Sequence, residues 1–138
     1  MELDERMAEW CRSTCLALPG ATVDEPFGPG TEAFRLHGRI FALLTQTQKV
    51  SPHPIVNLKA EPSEVPLLVR TYPFVVPGWH MSKKHWVSVI LGPETDLELA
   101  AELVEDSYDN VALRLPRHLR PDLAALGPRE PGVAVVGP

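Results

Sequence analysis

The 138-residue sequence lacks an apolar run that approaches the ~20 residues a membrane-spanning helix requires. Its start, Met1-Glu2-Leu3-Asp4-Glu5, also lacks the positive charge and the apolar stretch of a secretory signal. We therefore expect no membrane partner and a cytoplasmic location.

Cysteine is scarce, since only Cys11 and Cys15 are present. Their spacing places both on one face of a predicted helix, where the geometry for a disulfide is poor. Reduced thiols in a reducing compartment therefore fit best. The pair has the chemistry to ligate a soft metal, but its place in an apolar stripe favours two core cysteines.

Positive charge is also in short supply. The chain has 13 Lys and Arg against 18 Asp and Glu, a net charge of -5 and a pI near 5.5. This balance weighs against a partner bound by overall electrostatics, such as bulk nucleic acid or an anionic membrane. Any anion must be met by a local cluster of cations.

Signatures of catalysis and of cofactor binding are missing. No Gly-rich phosphate loop occurs, and the spacing of His80 and His85 fits neither a metalloprotease helix nor a Cys/His zinc site. The histidines and serines form no recognisable nucleophile with its base. The sequence therefore favours a protein that is not an enzyme and predicts no metal and no cofactor.

Size and composition predict one globular domain. Hydrophobic residues at 44% and charged residues at 22% suit a soluble fold with one core. The 15 prolines fall between apolar segments and in the tail, so they mark boundaries. We predict a domain over residues 1–117 and a Pro/Gly-rich extension over 118–138, in which Ala134-Val135-Val136 has the character of an added edge strand.

Two apolar stripes predict the main helices. A first helix over 4–18 presents Met7, Trp10, Cys11, Cys15 and Leu18 at spacings of three and four. A second, over 95–115, begins at a capping box in which Thr95 is the cap and Glu98 reaches back. Between them, Glu61-Pro62-Ser63-Glu64 predicts a short helix with Pro66 in its first turn.

Alternating and β-branched runs predict an antiparallel sheet. Residues 33–36 and 39–45 form a hairpin around His37-Gly38, because glycine accepts the positive φ of a tight turn. Arg35 and Arg39 flank this turn and predict a basic tip. Further strands follow at residues 55–59 and 86–91, and the connections are too short for crossover helices.

The stretch Pro77-Gly78-Trp79-His80-Met81-Ser82-Lys83-Lys84-His85-Trp86 concentrates cations and aromatics after a turn. Such a patch suits an anion, with indole faces for stacking. It equally suits buried tryptophans beside solvated lysines. If Trp86 points into the core, strand alternation also turns Ser88 inward and turns His85 and Val87 outward.

Several of these motifs together resemble the MmcQ/YjbR-like family over roughly residues 5–117. The resemblance rests on the following motifs, in the family's order: Leu18-Pro19-Gly20, Pro26-Phe27-Gly28, Phe34, Gly38-Arg39-Ile40-Phe41-Ala42, Asn57-Leu58-Lys59, Pro77 to Trp86, Ser107-Tyr108 and Leu115-Pro116. Ser82 stands where Asn is more frequent, and Trp79 where Tyr is frequent. The resemblance implies an α+β, CyaY-like two-layer sandwich, an antiparallel sheet covered on one face by the N- and C-terminal helices.

The same resemblance implies a DNA-binding role through projecting hairpins, a double-wing mode, by analogy of fold. The candidate residues for binding nucleic acid or another anion are Arg35, Arg39, Lys49, Trp79, His80, Lys83, Lys84 and His85. The alternative is a non-enzymatic pocket for a small anionic ligand or an acidic protein segment. Its lining would be Trp79, His80, Lys83, His85 and Trp86, joined by Phe27.

Overall fold

The computed structural model describes residues 2–121. This described part has three α-helices, α1 (Leu3–Leu16), α2 (Val65–Thr71) and α3 (Leu97–Leu113), followed by a short 3-10 turn (Arg117–Leu119). The same residues form six strands, β1 (Thr22–Asp24), β2 (Thr31–Leu36), β3 (Arg39–Thr45), β4 (Ile55–Lys59), β5 (Val75–Pro77) and β6 (Trp86–Ile90). Within residues 2–121, no helix has the length and hydropathy needed to cross a membrane.

All six strands belong to one antiparallel sheet in the order β1-β2-β3-β4-β6-β5. The first four strands form a meander, and β6 then returns between β4 and β5. The predicted α+β architecture is confirmed. The domain boundary at residue 117 stays a prediction, and the possible edge strand at residues 134–136 lies outside the described part of the chain.

The helices cover one face of the sheet, which we call the helix face. Core residues alternate along the strands, with Phe34 and Leu36 on β2 and Val56 and Leu58 on β4. From the helices, the buried members of the same core include Met7, Cys11, Cys15, Ala100, Val104 and Tyr108. The two predicted apolar stripes are therefore confirmed as the surfaces that bury the sheet.

The β2–β3 hairpin forms as predicted. His37 and Gly38 have φ values of 48° and 81°, the positive pair that a two-residue type I′ turn requires. The register shifts between Phe34 and Arg35, so that β3 carries one extra residue at this point.

The start of α3 differs from the predicted capping box. Asp96 is the N-cap, and its carboxylate accepts from the backbone N–H groups of Glu98 and Leu99 at 3.0 and 3.2 Å. The Thr95 hydroxyl is engaged one turn earlier, where it donates to the Ile90 carbonyl at 2.6 Å and accepts from Gly92 N–H. The helix therefore begins one residue later, because the turn that precedes it already engages the Thr95 hydroxyl.

This assignment makes a testable prediction for α3. Asp96→Ala should lower the free energy of unfolding by about 1 kcal/mol, since it leaves two helix N–H groups without their acceptor. Glu98→Ala, at the exposed position of the predicted capping box, should change it by less than about 0.5 kcal/mol. Urea denaturation measures both. Equal losses of unfolding free energy in the two variants would contradict this assignment and favour the capping box.

The faces of β6 are the reverse of those expected from the sequence. Val87 and Val89 belong to the core on the helix face, at 1% and 0% exposure. Trp86 and Ser88 therefore point to the other side, which we call the open face. The expectation that Trp86 points into the main core and Val87 outward is wrong.

Candidate nucleic-acid interface

The connection from β5 to β6, residues 78–85, folds back onto the open face of the sheet. Its anchor is the backbone of Trp79, whose N–H donates to Ser88 Oγ at 2.9 Å and whose carbonyl accepts from Asn57 Nδ2 at 3.1 Å. Ser88 in turn donates to Asn57 Oδ1. Asn57 and Ser88 are cross-strand partners with 0% exposure, so this polar cluster is fully buried.

Gly78 allows the start of the connection to pass close to Trp86 of β6. A Cβ at this position would lie 2.9 Å from the Trp86 Cβ and 3.0 Å from the Trp86 carbonyl oxygen. Because one of these neighbours is backbone, a larger residue would have to displace the pairing of β5 with β6. The start of the connection is thus held in place by the close packing of Gly78 and by the backbone hydrogen bonds of Trp79.

Inside the connection, a compact turn presents the lysines. The Ser82 carbonyl accepts from the N–H groups of His85 and Trp86 at 3.2 and 3.0 Å. Lys83 Nζ donates to the Gly78 carbonyl at 2.9 Å, which ties the two ends of the connection together. Lys84 is exposed, and within residues 2–121 its ammonium has no hydrogen-bond or ion-pair partner. Lys83 therefore has a structural role in part, whereas the ammonium of Lys84 is available to bind a ligand.

The aromatic groups of the connection are less available. Trp79 is half-buried and its ring meets that of exposed His80 edge to face, with centroids 4.1 Å apart. His80 has a φ of 55°, a left-handed conformation uncommon for a side-chain-bearing residue. His85 is half-buried, and its carbonyl accepts from Ala60 N–H at 2.9 Å. Part of each of the Trp79 and His85 side chains is therefore covered, and the His80 ring is occupied in part by its contact with Trp79.

The arginines of the β2–β3 hairpin do not form one basic tip. Arg35 lies on the open face and pairs with Asp24 at 2.8 Å, and it also donates to the Gly38 carbonyl. Arg39 is the direct partner of Leu36 and so lies on the helix face, where it donates to the Arg114 carbonyl at 3.2 Å. The predicted tip is corrected, because alternation sends the two guanidinium groups to opposite faces.

Lys49 lies apart from the other candidates. It is exposed in the β3–β4 connection, whereas Arg39 begins β3 at the other end of the same strand. Lys83 and Lys84 also belong to Arg39's end of the sheet, since they connect the end of β5 to the start of β6. The structure therefore separates Lys49 from the predicted constellation.

Two further cations, which the sequence interpretation missed, lie at the same end of the sheet as Arg39, Lys83 and Lys84. Lys59 closes β4 opposite Trp86, with its ammonium 5.9 Å from the centre of the indole ring. Arg114 follows α3 and donates to Asn110 Oδ1 at 2.9 Å. Burial, followed by the positive charges of Arg114 and Arg39, lowers the pKa of Lys59 from its ordinary value. The two smaller contributions to this lowering show that Arg114 and Arg39 lie close enough to Lys59 to act on its charge.

We call the set Arg39, Lys59, Lys83, Lys84 and Arg114 the basic end. Among the described residues, none of these five forms a salt bridge with a carboxylate. The side-chain hydrogen bonds of Arg39, Lys83 and Arg114 go to uncharged carbonyl and amide oxygens. Carboxylates are also close to this end, because the cleft that Lys59 lines is also lined by Glu61, Glu64, Asp106 and Asp109. Of these, Glu61 raises the pKa of Lys59 against the larger effects that lower it. Asn57-Leu58-Lys59, one motif of the resemblance, could have directed attention to Lys59.

The predicted Trp/His/Lys pocket does not coincide with the three clefts described next. Three clefts of the described region are lined around Lys59, His53 and Arg12, and none of the three includes Trp79, His80, Lys83 or His85. Phe27 is 67% exposed, but it lies in the β1–β2 connection at the opposite end of the sheet from residues 78–85. Phe27 therefore does not line the predicted pocket.

The two cysteines lie in the core. Cys11 and Cys15 are free thiols, each with 0% exposure. A hydrogen bond between the Cys15 thiol and its neighbour Cys11, together with burial, raises the pKa of Cys15 well above its ordinary value. Among residues 2–121, no group of three or more His, Cys, Asp or Glu has an arrangement suited to a metal ion. The cysteine pair is thus a pair of core thiols.

Comparison with known proteins now places the chain. The family model described as YjbR matches residues 16–110. The chain belongs to the YjbR family. Among its relatives is the uncharacterized protein YbdF of Escherichia coli O157:H7, which is 36% identical over 121 residues and is covered over 97% of its length. The uncharacterized protein YjbR of Escherichia coli K12 is 29% identical over 112 residues, covering 81% of this chain and 92% of the relative.

Solved structures share the fold of this YjbR-family chain. The crystal structure of Deinococcus radiodurans protein DR2400 is similar with a TM-score of 0.71 and 32% identity, covering 81% of this chain and 87% of that one. A protein from Pseudomonas syringae matches with a TM-score of 0.64 and 24% identity, over 80% and 98% of the two chains. The second likeness concerns the fold alone.

Proposed function

We propose that the protein binds nucleic acid, duplex DNA in the first instance, by contacting backbone phosphates through the basic end. The observation that carries this proposal is the set of five cations without carboxylate partners among the described residues, gathered at one end of an otherwise acidic protein. Phosphate contacts from Lys and Arg supply most of the affinity in such complexes.

The distribution of these cations favours an extended polyanion. They come from the β2–β3 hairpin, the end of β4, the β5–β6 connection and the end of α3, so they are spread along an edge. A phosphate backbone presents charges at regular intervals along such an edge, whereas a small anion needs its partners to converge in a concave site. The net charge of -5 opposes long-range attraction, so binding requires the basic end to face the DNA.

Fluorescence anisotropy with a labelled duplex and the matching single strand tests this proposal at two salt concentrations. If about four phosphates are contacted, affinity for the duplex should fall on the order of 100-fold between 50 and 200 mM salt. No salt-dependent binding at micromolar protein in the lower salt would overturn the proposal. Competition by a mononucleotide as strong as by the duplex would instead indicate a small-anion site.

Single substitutions locate the contact. Lys84→Ala should weaken duplex binding and reduce the salt slope by about one, since it removes one phosphate contact without disturbing any hydrogen bond. Lys49→Ala is the matched control, because it removes an exposed lysine at the other end of the sheet. The proposed interface is wrong if both variants weaken binding equally. Thermal melts of both variants show whether the fold is retained.

A further inference from the structure

A second site lies at the end of the sheet opposite the basic end. A cleft of about 380 Å³ opens between the β3–β4 connection, the segment before β5 and the connection from β6 to α3. We call it the His53 cleft. Its volume falls within the range of about 300 to 1,000 Å³ typical of small-molecule sites. The clefts beside Lys59 and Arg12 are smaller, at about 250 and 190 Å³.

The walls of the His53 cleft are largely apolar. Their apolar residues are Pro73, Phe74, Ile90 and Pro93, and Phe74 lies beside Ile90, whose N–H donates to the Phe74 carbonyl at 2.8 Å. Phe74 is supported from behind by Tyr72, whose ring centre is 5.7 Å away. An apolar body of a ligand would therefore exchange water for aromatic and aliphatic surface on entering.

One polar group of the cleft is held in a defined orientation. His53 Nδ1 lies 2.8 Å from Asp4 Oδ1, and a carboxylate at this nitrogen fixes the proton there. The imidazole also packs on Gly92, where a Cβ would come within 2.8 Å of the His53 Cδ2. A ring that carries its one proton on Nδ1 has Nε2 as a hydrogen-bond acceptor. A glycine at position 92 leaves the space that the imidazole occupies.

The charge around the cleft is negative. Glu94 lines it, is exposed, and has no hydrogen bond or ion pair within the described region. Asp4 stands behind the imidazole, and no Lys or Arg is among the lining residues. A ligand that donates hydrogen bonds and carries positive charge complements this arrangement, whereas a carboxylate is repelled.

We propose that the His53 cleft binds a small primary amine that carries an apolar or aromatic body. The ammonium donates to His53 Nε2 and balances the charge of Glu94, while the body packs against Phe74, Ile90 and the two prolines. This site stands apart from the basic end, so it does not depend on the nucleic-acid proposal.

Three probes of matched shape test the chemistry: 2-phenylethylamine, 2-phenylethanol and 3-phenylpropanoate. Each is titrated into the full chain while the NMR signals of the His53 imidazole and the Phe74 ring are followed. The amine should shift both sets of signals with a Kd on the order of a millimolar, as expected for so small a ligand. The alcohol should bind more weakly, and the carboxylate should bind at least about tenfold more weakly than the amine.

Exposed carboxylates supply the matched variants. Glu94→Gln should weaken amine binding about threefold and leave alcohol binding unchanged, because only the ion pair is lost. Glu98→Gln removes an exposed carboxylate outside the cleft lining and should leave all three titrations unchanged. The proposal is overturned if the amine shifts neither His53 nor Phe74, if the carboxylate binds as well as the amine, or if Glu94→Gln has no effect on amine affinity.

Discussion

Val87→Asn should lower the free energy of unfolding by about 4 kcal/mol, and Trp86→Gln, its neighbour, by only about 1 to 2 kcal/mol. Val87 is 1% exposed in the core between sheet and helices. The substitution removes about 2 kcal/mol of apolar burial and adds a comparable cost for an amide without partners. Trp86 is half-buried on the open face, where glutamine remains hydrated in part.

Chemical denaturation of the two single variants measures this difference. Unchanged m-values would show that both variants unfold between the same folded and unfolded states. Val23→Asn, at an exposed position of edge strand β1, controls for the chemical change itself and should cost less than about 1 kcal/mol. A Trp86→Gln variant that unfolds as easily as Val87→Asn would contradict the assignment of the two faces of β6.

Asn57→Ala should lower the free energy of unfolding by about 3 kcal/mol. Asn57 Nδ2 donates to the Trp79 carbonyl and its Oδ1 accepts from Ser88, so the substitution leaves two buried polar groups without their partner. Each such group costs about 1 to 3 kcal/mol. The connection over residues 78–85 should also loosen, which would weaken any binding that depends on Lys83 and Lys84.

A double-mutant cycle with Ser88→Ala tests whether the cluster acts as a unit. The double variant should lose less stability than the sum of the single losses, because each substitution already breaks the shared hydrogen bonds. Ser63→Ala, at an exposed position, serves as the control and should be neutral within about 0.5 kcal/mol. Additive losses for Asn57→Ala and Ser88→Ala would show that the two residues do not anchor the connection together.

Local patterns predicted most of the secondary structure. The stripe containing Cys11 and Cys15 formed α1 and faces the core, and the His37-Gly38 turn joined β2 to β3. These predictions succeeded because helix periodicity and the backbone freedom of glycine are properties of neighbouring residues. The capping box was wrong at Thr95, because the turn between β6 and α3 engages its hydroxyl with the Ile90 carbonyl and the Gly92 N–H.

The candidate interface was predicted only in part. The free charge of Lys84 and the position of Arg39 at a strand end agree with the sequence interpretation. Two features of the interface were not predicted, because they depend on contacts between different secondary-structure elements. Arg35 is paired with Asp24 of β1, and Arg114, after α3, lies beside Arg39. Lys49 was included because of its charge, which carries no information on which end of the sheet it occupies.

By itself, the sequence determined the helices, the hairpin, the antiparallel order of the meander and, through its motifs, the family. It also determined that Trp86 and Val87 point to opposite sides of β6, because neighbours alternate along a strand. Only the tertiary structure decided which of the two sides is the core, since that depends on where α1 and α3 pack. The same packing brings Lys59 and Arg114 beside Arg39. Strand pairing places the end of β4 next to the start of β3, and the length of α3 places its C-terminal end beside them.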